Sequence, residues 1–120
     1  MNAMEAAISG LAQSDGVRGA AVITEDGMMV ASALQGRFDP DVVAGLTSFV
    51  IATTRRVMLA DGYDRLDRFV VHATHGKFVL SDIGNAFLIA ITDQFVQLEP
   101  VLEVVAEATE NLRRLARVSG

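Results

Sequence analysis

Gly16-Val17-Arg18-Gly19-Ala20-Ala21-Val22-Ile23-Thr24-Glu25-Asp26-Gly27-Met28-Met29-Val30-Ala31-Ser32 decides the reading of this chain. Val17–Thr24 and Met28–Ala33 read as strands, and Asp26-Gly27 between β-rich runs is a strong hairpin signal. The first strand is apolar on both alternating sets, which predicts cover on both of its faces. Its small residues, Gly19, Ala20 and Ala21, predict a helix packed close above them.

Upstream, Met4, Ile8 and Leu11 recur at helical spacing over residues 3–12, and Ser14-Asp15-Gly16 stops that helix. Downstream, a long helix runs from Pro40 to Asp61. Asp39 is its N-cap, Pro40 its first residue and Gly62 its C-terminal stop. A helical wheel puts Val42, Leu46, Phe49, Val50, Thr53 and Val57 on the core face. Arg68–Thr74, Lys77–Ser81 and Ala86–Ile91 read as three more strands, the last apolar on both sets. A helix from Val96 to Val118 closes the chain, with acids early and arginines late, as its dipole favours. Pro100 is tolerable there only within the first turn. The expectation is one domain over residues 1–120. Its fold class is α+β, a three-layer α/β/α sandwich on a largely antiparallel sheet, in the order α-β-β-α-β-β-β-α.

Composition narrows the function. The 120 residues carry 10 basic and 15 acidic side chains, a net charge of −5, which disfavours nucleic acid or an anionic membrane as partner. There is no cysteine, which excludes a disulfide scaffold, thiolate metal sites and Cys catalysis. No basic-then-apolar leader begins the chain, and uninterrupted apolar runs are short. The expected location is cytoplasmic, without membrane insertion. The excess of arginine over lysine points to a GC-rich bacterial gene.

Chemistry is sparse. No P-loop, dinucleotide fingerprint or nucleophile elbow is present. His72 and His75 point to opposite faces of a continuous strand and do not make a metal site. Asp64 and Asp67 flank a charged loop and read as solvated. Arg55 and Arg56 suit the C-terminal half of their helix. No catalytic residue, metal or cofactor is assigned. The long helix is more informative. Opposite its expected core face lie Ala44, Ser48, Ile51, Ala52 and Arg55, a flat surface of small side chains beside Leu59. Val43, Thr47, Thr54 and Met58 adjoin it. A helix too apolar for one contact has a second surface to cover, so this face is expected to bind protein.

The hairpin quoted first resembles that of the roadblock / dynein-light-chain family, a G-V-x-G-A strand, a D-G turn and a return strand of small residues. The long middle helix, the meander through His75-Gly76-Lys77 and Phe87-Leu88-Ile89-Ala90-Ile91 extend the resemblance over nearly the whole chain. Gln97-Leu98-Glu99-Pro100 departs from the Asn-Leu-Gly-like helix start of many members. The resemblance implies a profilin-like sandwich around a five-stranded antiparallel sheet. It also implies a homodimer with middle helices side by side and the Arg68–Thr74 strands paired. Val43, Thr47, Thr54, Met58, Phe69 and Val71 would then form the dimer interface. It further implies a non-enzymatic platform for a small Ras-like GTPase, which would meet Ala44, Ser48, Ile51, Ala52 and Arg55. On that reading Ile51→Asp leaves folding intact and abolishes GTPase binding. The alternative is an adaptor or assembly subunit with no nucleotide-linked role. A small-molecule sensor or enzyme would need a convergent polar cluster, which the sequence does not offer.

Overall fold

Local signals set the element boundaries. The Asn2 side chain caps the first helix by accepting from the Glu5 amide at 2.8 Å. Asp39 does the same for the middle helix, accepting from the Asp41 amide at 2.9 Å. The computed structural model describes residues 2–34, 36, 38–60, 62, 67–74 and 76–119, and the side chains of residues 2–115 among these. Asp61, Asp64 and His75, and the side chains of Ala116 and Arg117, lie outside the described residues. The elements are α1 (Ala3–Ala12), β1 (Val17–Ile23), β2 (Met29–Leu34), α2 (Pro40–Ala60), β3 (Arg68–Ala73), β4 (Gly76–Asp82), β5 (Phe87–Asp93) and α3 (Leu98–Ser119). This is the expected order. α3 starts at Leu98, two residues later than expected, so Pro100 falls in the first turn, where its missing N–H is harmless.

The five strands form one antiparallel sheet in the order β2-β1-β5-β4-β3. α1 and α3 cover one face, where Ile8, Leu11, Val105 and Leu112 meet Ala20, Val22, Leu88 and Ala90. α2 covers part of the other, where Val43, Ala44 and Ile51 meet Ala21, Ile23, Phe87 and Ile89. β1 and β5 lie inside the sheet and are apolar on both sets because each set packs under a different layer. A polar strut ties α3 to the far end of the sheet. Arg113 Nε donates to the Asp82 carbonyl at 3.0 Å, and its guanidinium meets Asp67 at 2.9 Å. Deeper in, Thr109 donates to Ser81 Oγ at 2.9 Å, so both buried hydroxyls are satisfied.

α2 lies the other way round from the wheel. The inward residues are Val43, Ala44, Thr47 and Ile51, whereas Val42, Leu46, Phe49 and Val57 are exposed. The wheel turned the most hydrophobic stripe inward, but the sheet beneath is already lined with Ile23, Phe87 and Ile89. Ala44 and Thr47 let the helix approach such a surface, Val43 and Ile51 fill the space beside them, and Leu46 and Phe49 are left outside.

The short-run argument against membrane insertion also needs correction, because interspersed small and polar residues do not lower α2 enough. An 18-residue window of Pro40–Ala60 reaches a mean hydropathy of 1.4 with 22% of it buried, which by length and composition alone suffices to cross a bilayer. In this fold the helix instead lies along the sheet.

Candidate protein-interaction surface

The β1–β2 turn determines how α2 sits. Gly27, at φ +92°, allows a tight turn, and Thr24 Oγ1 accepts from the Met28 amide at 2.9 Å. The turn then reaches α2. Ser48 Oγ donates to the Glu25 carbonyl at 2.6 Å, and Arg55 forms an ion pair with the Glu25 carboxylate. The Arg55 guanidinium also lies 5.5 Å from the centroid of the Phe87 ring, within cation–π range. Three side chains therefore clasp the helix from its flank, and Thr47 and Ile51 are turned down onto the sheet.

The opposite side of α2 faces out. Val42 is 63% exposed, Leu46 47%, Phe49 69% and Val57 58%. With Thr53 they recur at three- and four-residue steps, which on a helix makes one continuous stripe. Such a stripe has the spacing of a helix–helix seam. On the same side of the sheet β3 is an edge strand, with Phe69 and Val71 half-buried and no strand on its outer rim among the described residues. An unpaired rim of N–H and C=O groups is a template for another strand.

The sequence-predicted site residues separate into two groups. Ala44 and Ile51 are buried under α2, Ser48 and Arg55 are committed to the clasp, and Ala52 is exposed. Four of the five expected partner-facing residues thus face the protein itself. Of the residues expected at the dimer interface, Val43 and Thr47 are buried beneath the helix and Thr54 and Met58 are half-buried, while Phe69 and Val71 lie at the free edge. Sequence reasoning missed Val42, Leu46, Phe49 and Val57 as surface residues. The available signal was that α2 is apolar on two sides, with Leu46 and Phe49 on one and Ala44 and Thr47 on the other. Among the described residues no group of three or more His, Asp or Glu side chains could hold a metal ion. Asp67 is paired with Arg113, and His72 is exposed.

The clasp is testable by itself. Arg55→Met and Glu25→Gln should each lower stability slightly. Their coupling in a double-mutant urea-denaturation cycle should be below about 1 kcal/mol, because both groups are partly exposed. Zero coupling would mean that the pair does not hold α2.

Three comparisons bear on this architecture. The Roadblock/LC7 domain family model matches residues 4–93. The protein MJ0714 of Methanocaldococcus jannaschii is 28% identical over 105 residues, covering 88% of this chain and 89% of its own. Among solved structures, MglB of Myxococcus xanthus superposes with a TM-score of 0.89 at 17% identity, covering 96% of this chain and 95% of that one. Profilin of Schizosaccharomyces pombe superposes with a TM-score of 0.66 at 10% identity, covering 94% and 98%. The two structural likenesses establish the fold, a profilin-like α+β sandwich.

Proposed function

The chain belongs to the Roadblock/LC7 domain family, and from that premise we propose that it is a non-enzymatic, dimeric regulator or scaffold of a small Ras-like GTPase. The observation that carries this reading is the uncovered apolar stripe of α2. Burying a large aliphatic or aromatic side chain is worth roughly 1.5–3 kcal/mol, so Val42, Leu46, Phe49 and Val57 together can drive association. A second copy of the chain covers them, with its own α2 alongside and its β3 against the free edge. The GTPase docks on what the pair of helices leaves open. On each helix that is the flank carrying Gly45, Ala52 and Arg56, all exposed and two of them small enough to give a flat surface. Of the residues first expected to meet the GTPase, Ala52 keeps that role. Such a platform acts by binding one nucleotide state better than the other, which is what shifts a two-state partner.

Phe49→Asp tests the reading. Its 69% exposure predicts an unchanged fold by circular dichroism. Sedimentation should give a dimer for wild type and a monomer for the variant. Affinity capture from lysate, with GTP and then GDP held in excess, should retain a Ras-like GTPase in one state on wild type and none on the variant. A monomeric wild type overturns the dimer. Capture of other proteins without nucleotide dependence overturns the regulator in favour of the adaptor.

A further inference from the structure

A groove lies between α1 and α3, on the face of the sheet away from α2. It has two hollows, of about 270 and 380 Å³, that meet at Ala7 and Asn111. The first sets the later half of α1 beside Val104 to Asn111, and the second sets the start of α1 beside Asn111 to Leu115, so the two helices run antiparallel. On α1 the lining includes Ala3, Ala7 and Gly10, spaced by four and three residues, a stretch of wall with nothing larger than a methyl group. On α3 the described lining carries two charges of opposite sign, Glu107 in the first hollow and Arg114 in the second. Both are exposed, and at seven residues apart, about two helical turns, they stand on one stripe. Asn111 lies between them and accepts from the Arg114 guanidinium, which holds that cation along the groove. Glu110 and Arg113 are turned instead to the strut with Asp67.

We infer that this α1/α3 face binds the same face of a second copy about a two-fold axis beside Asn111, with Glu107 of each copy against Arg114 of the other. The charge pattern selects the occupant. A groove of one sign would suit a partner of the opposite sign. This groove is acidic at one end and basic at the other, and a two-fold axis across α3 exchanges the ends. The two α3 helices then run antiparallel. The midpoint between Glu107 and Arg114 falls beside Asn111, so both ion pairs form together and set the register. The two Asn111 side chains meet near the axis, where an amide, being both donor and acceptor, can pair with its own copy. A polar residue in such a helix seam specifies one alignment over its neighbours. Ala3, Ala7 and Gly10 leave room for the approach. The contact uses the layer opposite the α2 stripe, so it does not depend on the dimer proposed above and would join such dimers to one another. It is also small, since α1 at 10 residues is about 15 Å long. A dissociation constant on the order of 0.1–1 mM is expected of so small a face.

Sedimentation at low salt, from about 10 µM to about 1 mM, reads the contact as one association step beyond the state at low concentration. Glu107→Arg and Arg114→Glu each put two like-charged pairs where two attractive ones stood, and each should weaken that step about tenfold. Both side chains are exposed, so circular dichroism should show an unchanged fold. An equimolar mixture of the two variants sets opposite charges across both pairs again and should associate within about threefold of wild type. Mixing changes nothing inside either chain, so recovery has to act between copies. The same series on a Phe49→Asp background removes the α2 stripe and should pass from monomer to dimer. A wild type that takes no further step at about 1 mM overturns the contact. A step that neither variant weakens, or a loss that the mixture does not recover, overturns the pairing of Glu107 with Arg114. A wild type that is monomeric at low concentration and dimerises with this variant pattern overturns the α2 dimer while supporting this contact.

Discussion

Ile51→Asp is expected to unfold the domain. Ile51 is 1% exposed and packs in the layer formed by Ala21, Ile23, Phe87 and Ile89. A carboxylate there loses its hydration and gains no partner, because the Arg55 guanidinium is engaged with Glu25 on the flank of the helix. The isoleucine's own burial is lost as well. A loss of about 4 kcal/mol or more is a large share of a typical total of about 5–15 kcal/mol. Urea denaturation followed by circular dichroism measures it, with Phe49→Asp as the comparator. The comparator lies two residues away on the exposed side and should fall within about 0.5 kcal/mol of wild type when both are monomeric. If Ile51→Asp keeps its midpoint and Phe49→Asp loses it, α2 is turned as the helical wheel expected.

Gly76→Ala should be the second severe substitution. A Cβ at Gly76 would lie 2.3 Å from the carbonyl oxygen of Thr92. That oxygen belongs to the backbone of β5, an inner strand, and Thr92 is itself buried. Neither group can rotate away, so the hairpin end must separate from β5 where Gly76 pairs with Asp93. A loss on the order of 2–4 kcal/mol is expected, with amide exchange accelerated at the Gly76 end of β4. Gly10→Ala is the contrasting case. Nothing lies within 4 Å of a Cβ there, and the site is inside α1. It should gain about 0.5–1 kcal/mol from reduced chain entropy. Equal midpoints for the two variants would show that the close approach of β4 to β5 is not rigid.

Most of the fold was legible because its signals are local. The Asp26-Gly27 turn, the two strands apolar on both sets, Asp39-Pro40 ahead of α2 and the graded charge of α3 each depend on residues within a turn or two of one another. They determined the element order and which strands lie inside the sheet. Gly76 read as part of a turn, although it is a strand residue whose missing side chain answers to a carbonyl sixteen positions away. The candidate surface was half legible. Phe69 and Val71, which the resemblance assigns to a dimer interface, lie on the edge strand β3, but the helix face was inverted.

The sequence by itself determined that α2 exists, where it starts, and that it is too apolar to have only one contact. Only the tertiary structure decided which side is inside. Periodicity ranks faces by hydrophobicity, whereas a helix on a sheet is oriented by what the sheet leaves room for. Here β1 and β5 present Ile23, Phe87 and Ile89, so Ala44 and Thr47 fit beneath and Leu46 and Phe49 do not. The remaining constraint, Glu25 holding Arg55 and Ser48 across more than twenty positions of chain, has no signature in the spacing of either segment.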